Sequence, residues 1–295
     1  MDYDRTNYPN ILRDSVIGWK FTDTSVIYFG QMKLPGNRQR VISSGQQQFV
    51  ERSIVNAMLN IDRDIGVQWH NQFFSEQPLK LKLAITNGEG RSVANSNNGL
   101  AYTGRIEWLP LGTFKDDGEN FEGDLSREEN VKLAFGTSYS SNKKTNKTGG
   151  QIGTLWSSSS ITRDMDTLLA DFLLKYQGYS FSTEFIQRWI YGGEVYFSDQ
   201  GKNYSLFNGY GINSLIGYLF HNNWETSLRF SQLRPSLQSL QGENNQQQYT
   251  VGLSKYLNRH LVKFQTDLSL NHEINSLSGS NEKEWLFRMQ FEIGI

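Results

Sequence analysis

Charged side chains recur at every second position in many stretches of the chain, with apolar residues between them. Successive side chains of a β-strand point to opposite faces of the sheet, so these charges are expected to share one face. The basic residues in this pattern are Lys80, Lys82, Arg105, Lys132, Arg188, Arg229, Lys263 and Arg288. The acidic ones are Asp64, Glu107, Glu184, Glu225, Asp267 and Glu292. A wall of this kind would act without any covalent step: its charges would sort ions, and its cations would attract anions.

The same charged face has a second explanation. Opposite charges on neighbouring strands can pair with one another across a solvated interior, without selecting any solute. The pattern has eight basic and six acidic positions. These numbers are too similar to predict a preference for anions from the charge of the wall. Both interpretations of the charged face remain open at the level of sequence.

The longest predicted connection, residues 34–62, is rich in arginine. Its charged residues are Arg38, Arg40, Glu51 and Arg52, with Asp62 at its end. Helical spacing of apolar residues over 49–59 predicts a short helix inside it. A connection of this length folds inward as a constriction or plug more often than it stays a surface loop. If it folds inward, its guanidinium groups are suited to replace water around a phosphate or a carboxylate.

Residues for covalent or metal chemistry are scattered or missing. The chain has no cysteine, which removes disulfides, thiolate nucleophiles and zinc–thiolate sites. Its four histidines show no metal-ligand spacing such as HxxxH. Gly88-Glu89-Gly90 lacks the strand-to-helix context of a phosphate-binding loop. We therefore predict no catalytic residue, no metal site, no cofactor and no enzymatic activity.

Composition narrows the class of protein. The formal net charge of −1 creates no positive electrostatic field that would attract nucleic acid. Mean hydropathy is low, at −0.56, while aromatic residues reach 13%, which is unusual for a soluble core. The sequence has no apolar run long enough for a transmembrane helix and no export signal after Met1.

Period-two alternation predicts 13 strands. Many are 9–12 residues long, which is enough for a tilted strand to cross the hydrocarbon core of a bilayer. No composition break divides the chain, so we predict that residues 1–295 form one domain. The predicted strands lie near 16–22, 25–33, 63–74, 79–86, 102–108, 131–139, 165–176, 179–191, 209–220, 224–230, 246–257, 262–270 and 284–295.

The connections between these strands alternate in length. The short ones are Asp23-Thr24, 75–78, Gln177-Gly178, 221–223 and Asn258-Arg259. The long ones are 34–62, 87–99, 141–164, 192–208, 235–245 and 274–283. Only 110–129 breaks the alternation, because it is long where a short turn is due. Sorting of loops by side predicts an all-β, antiparallel, up-and-down transmembrane β-barrel with short periplasmic turns and long extracellular loops. The apolar stripe then faces lipid, and Trp285 belongs to an interfacial aromatic girdle.

The parity of the strands adds an expectation about the N-terminus. The last predicted strand ends on the turn side, so 13 strands place the N-terminus on the loop side. Bacterial single-chain barrels generally have an even number of strands. We therefore expect that an odd number of leading strands, usually three, is absent from this sequence.

Three stretches resemble the phosphate-selective porins O and P. They are YFGQMKLPGNRQR at 28–40, FVERS at 49–53 and RDIGVQW at 63–69. The matching residues are Gly30, Lys33, Pro35, Glu51, Arg52, Arg63, Asp64, Gly66 and Gln68. Weaker similarity follows at 176–185, 217–235 and 251–257. The chain departs from the pattern in lacking the leading strands and in ending on Ile295, where outer-membrane strands commonly end on Phe.

The resemblance implies a 16-stranded, usually trimeric barrel of the bacterial outer membrane. It also implies an arginine-lined constriction made partly by the third loop, which Arg38, Arg40 and Arg52 would supply here. The expected function is passive diffusion of small hydrophilic solutes, with anions or phosphate preferred. The expected partners are outer-membrane lipid, small anions or other hydrophilic solutes, and identical subunits in a homotrimer.

Two other functions remain open from sequence. One is a structural or accessory barrel subunit of an envelope complex, with its pore blocked by residues 34–62. The other is a soluble all-β binding protein, whose aromatic residues would lie in a core between two sheets. The direction in which the apolar side chains point separates the second of these from a membrane barrel.

Overall fold

The computed structural model describes residues 12–91, 99–156, 158 and 161–294. Parts of the predicted loops 87–99 and 141–164, the residues before Leu12, and Ile295 lie outside this range. The strands are β1 Ser15–Lys20, β2 Ser25–Lys33, β3 Arg63–Phe73, β4 Leu79–Thr86, β5 Ala101–Trp108, β6 Lys132–Thr145, β7 Arg163–Tyr176, β8 Tyr179–Tyr191, β9 Tyr196–Asp199, β10 Lys202–Ser205, β11 Gly209–Leu219, β12 Trp224–Pro235, β13 Asn245–Asn258, β14 Val262–Ile274 and β15 Asn281–Ile293.

Thirteen of these strands form one antiparallel up-and-down sheet that runs from β1 to β15. The predicted all-β fold of 13 long strands is confirmed. The short hairpin β9–β10 stands apart from this sheet, inside the predicted loop 192–208. Gln200 and Gly201 at its tip both have positive φ, as a two-residue hairpin turn of the type I′ class requires. Strands of four residues are too short for their alternation of side chains to be recognised in a polar loop.

Two short α-helices lie between β2 and β3: α1 Arg38–Val41 and α2 Ile54–Leu59. Of the predicted helix over 49–59, only the part from Ile54 onward is therefore helical. Ser53 ends the extended backbone and caps the helix, because its hydroxyl accepts the amide of Asn56 at 3.1 Å. No helix in the described part of the chain has the length and apolar character needed to cross a membrane.

The two faces of the sheet have opposite chemistry. On β12, Glu225, Ser227, Arg229 and Ser231 are buried, whereas the intervening Leu228 is 58% exposed. The other exposed apolar side chains include Ile17, Trp19, Val67, Ile85, Trp108, Val251, Trp285, Phe287 and Met289. Polar groups inside and apolar groups outside are the inverse of a soluble protein and match a sheet that faces lipid.

Two segments of chain fill the concave face of the sheet. The first, residues 34–62, connects β2 to β3 and is called the inner loop. The second, residues 109–131, connects β5 to β6 and is called the turn segment. Because neighbouring strands are antiparallel, the inner loop enters from the long-loop edge of the sheet and the turn segment enters from the opposite edge. The turn segment corresponds to the predicted connection 110–129 that broke the alternation of lengths.

Apolar residues inside the sheet hold both segments. Leu34, Val55, Leu59 and Ile61 of the inner loop share one buried cluster with residues of the wall, namely Ala84, Leu169, Ile186 and Leu233. Leu109 and Phe114 of the turn segment pack with the wall residues Ala134 and Leu173. Strand β7 consequently has two leucines, Leu169 and Leu173, on its inward face. Period-two alternation is weak there because one face contacts the inserted segments.

Two glycines on the wall allow the inner loop to approach closely. A Cβ atom on Gly211 would lie 2.7 Å from Val55, and one on Gly252 would lie 2.7 Å from the ring of Phe49. Side chains at these positions would displace the loop, so the wall is shaped to receive it.

We predict that a charge at the middle of the apolar face destabilises the protein far more than one near the end of a strand. Leu228→Arg should lower the free energy of unfolding by about 2–4 kcal/mol, because the guanidinium would enter the hydrocarbon core. Gln247→Arg, on the same face near the loop-side end of β13, should cost about 0–1 kcal/mol. Urea unfolding of the protein in lipid vesicles measures both, and equal losses would contradict the proposed orientation.

Candidate functional site

The inner loop crosses the inward face of the sheet from β5 to β14. Its backbone carbonyls accept hydrogen bonds from the wall: Arg105 donates to Gly36 O at 3.0 Å, and Lys263 donates to Gln47 O at 2.9 Å. The amide of Val50 donates to Asp267 on β14 at 3.0 Å. Wall charges from strands far apart in sequence therefore fix the position of this loop.

A compact group of buried charges joins the inner loop to the wall. Arg38 lies 2.8 Å from Glu107 and 2.9 Å from Asp171. Arg105 contacts the same two carboxylates, at 2.9 Å and 2.6 Å. Two guanidinium groups and two carboxylates leave no net charge here. Arg38 is thus fully engaged in holding the loop and has no free charge for a solute.

The other two arginines of the inner loop differ from Arg38. Arg40 donates to Asp62 at 2.9 Å. Burial raises the pKa of Asp62 and its hydrogen bond from Arg40 lowers it, and the net shift is downward. The Asp62 carboxylate therefore stays ionised and neutralises Arg40.

Arg52 donates to two backbone carbonyls, Gln39 O at 3.0 Å and Ile42 O at 2.9 Å. Within the described ranges, no carboxylate forms an ion pair with Arg52. Lys33, at the end of β2, donates to Val41 O at 2.9 Å and likewise has no ion pair there. Both side chains are half-buried. Two cations without a carboxylate partner thus converge on the consecutive carbonyls of residues 41 and 42.

Besides Arg105, three of the predicted wall cations bind the backbone of the inner loop. Arg188 donates to Leu59 O at 2.9 Å, at the end of α2. Arg229 donates to Glu51 O at 2.7 Å and lies over the ring of Phe49. Lys263 adds a contact of 3.4 Å with Glu292 to its bond with the loop. The side chain of Glu51 itself is exposed. These cations serve the loop, a role that neither interpretation of the charged face included.

The remaining wall cations have varied surroundings. Lys80 pairs with Glu119 of the turn segment at 2.7 Å, and Arg288 pairs with Asp267 at 2.7 Å. Lys132 is bound to Leu111 O at the exposed rim. Lys82 lies between His70 on β3 and Arg105 on β5 in the strand register, and it has no ion pair within the part of the chain that the structure describes.

The turn segment supplies carboxylates that the sequence did not assign to the site. Glu122 accepts the amide of Gln48 at 2.8 Å and the side-chain amide of Gln39 at 3.3 Å. Its own amide donates to Gln46 O at 2.9 Å. The inner loop and the turn segment therefore meet inside the sheet. Only the unexpected length of 110–129 on the turn side could have signalled this contact.

Buried and turn residues fix the turn segment in place. Lys175 on β7 donates to Phe121 O at 2.9 Å, and its ammonium lies 3.9 Å from the centre of the Phe121 ring. Asp124 accepts the amide of Gly178 at 2.7 Å, and Arg127 donates to Leu219 O at 2.9 Å. The segment is therefore attached to two separate short turns.

His260, in the turn between β13 and β14, also contacts the turn segment. Its Nε2 atom lies 3.0 Å from Glu122 O, and its ring packs on Phe121 and Tyr256. Burial, and then the charge of Lys263, lower the pKa of His260 to about 3. The ring is therefore neutral near pH 7 and donates its Nε2 proton to the carbonyl.

The Gly88-Glu89-Gly90 stretch binds a carboxylate of its own chain. Asp64 on β3 accepts the amides of Gly88 at 2.6 Å and Gly90 at 3.2 Å, and the hydroxyl of Thr86 at 2.7 Å. Both glycines have positive φ, which lets successive amides point at one acceptor. Asp64 thus anchors the loop after β4.

Comparison with known proteins gives one family. The family model described as phosphate-selective porin O and P matches residues 2–292. A search of curated sequences finds no significant match. Among solved structures, an anion-selective porin from Comamonas acidovorans is similar at 10% identity and a TM-score of 0.49, over 95% of this chain and 76% of the other. OccAB1 from Acinetobacter baumannii is similar at 8% identity and a TM-score of 0.47, over 94% and 67%.

We predict that the arginines of the inner loop differ in their effect on stability. Arg38→Met should lower the free energy of unfolding by about 3 kcal/mol, because it leaves two buried carboxylates with a single guanidinium. Arg52→Met removes only hydrogen bonds to carbonyls and should cost about 1–2 kcal/mol. Denaturant unfolding of both variants under the same conditions is the measurement. A larger loss for Arg52→Met would reject the assigned roles.

We also predict that His260 contributes to acid sensitivity. An unfolded histidine binds a proton below about pH 6.5, whereas His260 in the fold does so only near pH 3. Between these values the unfolded chain binds more protons, so stability is lost as the pH falls through this window. His260→Gln keeps a donor for Glu122 O and should lose less stability than the natural protein between pH 7 and pH 4. Identical losses in unfolding experiments would contradict the buried neutral ring.

Proposed function

The chain belongs to the phosphate-selective porin O and P family, which places it in the bacterial outer membrane, and we propose that it is a passive channel for small hydrophilic anions. The family and the fold are those of a channel rather than an enzyme. Solutes would cross the lumen without a chemical step and without a cofactor. The partners on this proposal are the lipid around the apolar face and the permeating anions, with a homotrimer as the expected assembly.

The convergence of Lys33 and Arg52 carries this proposal. Many charges inside the sheet are neutralised by ion pairs, and others, such as Arg188 and Arg229, are fully buried beneath the inner loop and out of reach of a solute. Lys33 and Arg52 lack a carboxylate partner in the described residues and are still partly open to water. A small oxyanion passing them would exchange hydration water for N–H donors.

The chemistry of the two cations suits a small anion with several oxygen atoms, such as phosphate or a carboxylate. A guanidinium presents two donors side by side, and an ammonium adds a mobile one. Both side chains are partly open to water, so an anion can exchange back into solvent and leave as well as enter. This class of solute, rather than phosphate in particular, is the proposed cargo.

A second candidate is a structural or accessory barrel subunit of an envelope complex, with a blocked pore. One observation favours it. Where the inner loop meets the turn segment, the cavity leaves about 20 Å³ for the centres of water molecules. That volume holds about one water, so no solute passes at this junction. On the channel proposal, solutes pass the inner loop elsewhere in the lumen, on the side of Lys33 and Arg52.

Planar-bilayer recording separates these two functions. A channel gives stable current steps from the folded protein, whereas a blocked barrel gives none. The folded state is checked by the shift in electrophoretic mobility between unheated and heated samples. Absence of conductance from folded protein would reject the channel and leave the structural function.

We predict that Arg52 and Glu51 have opposite effects on ion preference. Arg52→Ala should reduce the permeability of anions relative to cations by up to about fivefold, the effect of one charge at about 4 Å in water. Glu51→Gln removes the adjacent exposed negative charge and should increase the same ratio. Reversal potentials in a salt gradient give the ratio directly.

Lys202→Ala is the control for this prediction, because Lys202 is an exposed cation on the separate β9–β10 hairpin. It should leave the reversal potential unchanged. A reversal potential in Arg52→Ala equal to that of the natural protein would reject the inner loop as the anion filter.

A further inference from the structure

The constriction has two halves that enter from opposite edges of the sheet. We propose that the turn segment is the second half, and that Glu122 is the positioning residue that holds Arg52 at its place. The inference rests on the proposed function in so far as it concerns ion preference. The contact between the two segments stands on geometry alone.

A short chain of hydrogen bonds leads from Glu122 to Arg52. One carboxylate oxygen of Glu122 accepts the side-chain amide of Gln39 at 3.3 Å. The backbone oxygen of Gln39 in turn accepts Nε of Arg52 at 3.0 Å. Gln39 also accepts the hydroxyl of Ser53, the next residue along, at 2.6 Å through its side-chain oxygen. Gln39 therefore links the two residues, because its side-chain amide binds Glu122 and its backbone oxygen binds Arg52.

The other oxygen of Glu122 fixes a second point of the inner loop, four residues before Arg52. It accepts the amide of Gln48 at 2.8 Å, while the amide of Glu122 donates to Gln46 O at 2.9 Å. The side chain of Gln48 reaches the wall at Ser180, at 3.1 Å. One carboxylate thus holds the inner loop at two points, at Gln39, whose carbonyl binds Arg52, and at Gln48, whose side chain reaches the wall.

Glu122 also acts on Arg52 through its charge. Both segments are buried where they meet, so water screens the carboxylate less than it would at the surface. A negative charge behind the filter reduces the field that Arg52 presents to a passing anion. Loss of the charge and loss of the hydrogen bonds are therefore expected to have different effects.

The turn segment is built to stay in this place. Three residues other than glycine adopt left-handed backbone, Asp116 at φ 52°, Asp117 at φ 55° and Arg127 at φ 48°. Such conformations carry a free-energy cost and persist only where the surroundings determine them. A plain connection between β5 and β6 has no need of them. The packing of Phe114 against the wall and the hydrogen bond from Lys175 of the wall to Phe121 O supply the compensating stability.

A single cysteine reports on the junction without any measurement of current. Ile42 is 5% exposed and lines the cavity between the two segments, and the natural chain has no cysteine. In Ile42→Cys, a membrane-impermeant maleimide should react slowly. Adding Glu122→Ala should raise the rate by about tenfold or more, because two hydrogen bonds to a charged acceptor no longer oppose local opening.

Glu122→Gln separates shape from charge and also serves if the alanine variant does not fold. The amide retains one acceptor oxygen, so maleimide labelling of Ile42→Cys should rise less than with alanine. The lost negative charge should increase anion preference in the bilayer. Unchanged labelling together with an unchanged reversal potential in Glu122→Gln would overturn the proposal.

Glu128→Gln is the matched control. Glu128 belongs to the same segment and is buried, but its carboxylate accepts the amide of Lys115 rather than a group of the inner loop. Labelling of Ile42→Cys should be the same with and without it. If Glu128→Gln raised labelling as much as the Glu122 variants, the effect would be general loosening and the positioning role would be wrong. If labelling follows the proposal but the natural protein is silent in the bilayer, only the channel function fails.

Discussion

A loop that runs through the inside of a sheet carries backbone carbonyls and amides that no strand partners. Buried groups of this kind must find hydrogen bonds, since leaving them bare costs free energy that a protein of ordinary stability does not have in reserve. In this chain the wall provides the partners. Arg105, Arg188 and Lys263 each donate to a carbonyl of the inner loop. Much of the charge on the inward face is explained by this requirement.

The same requirement decides which cations remain for transport. A guanidinium between two carboxylates, such as Arg38, organises the interior and is silent toward solutes. Lys33 and Arg52 use only part of their donors on carbonyls and keep their charge. Selectivity in such a protein depends on the few charges that the interior does not need, rather than on the total along the wall.

Much of the fold could be predicted from the sequence. Strand β4 over 79–86 and strand β8 over 179–191 have the predicted bounds, because alternation persists where one face meets lipid and the other meets polar groups. Leu169 and Leu173 point inward against the inserted segments, so β7 showed only weak alternation. The hairpin β9–β10 is not predicted from the sequence, because its strands are too short for alternation to be recognised.

The site was much less predictable. The local sequence does not distinguish the roles of Arg38, Arg40 and Arg52, because tertiary contacts decide their partners. Asp171, which neutralises Arg38, is 133 residues away in the chain. Glu122 lies in another connection altogether. No local pattern encodes these pairings, although the length of 110–129 marked the connection as unusual.

The apolar hollow formed by Leu169, Ile186 and Leu233 has a consequence for assembly. Before α2 occupies it, this hollow faces water inside a forming sheet, where it favours collapse or aggregation over an orderly wall. The inner loop therefore acts as an internal support around which the strands assemble. Insertion into the bilayer becomes coupled to the placing of this loop inside the sheet. A chain without the loop would be a poor folder rather than a wider pore.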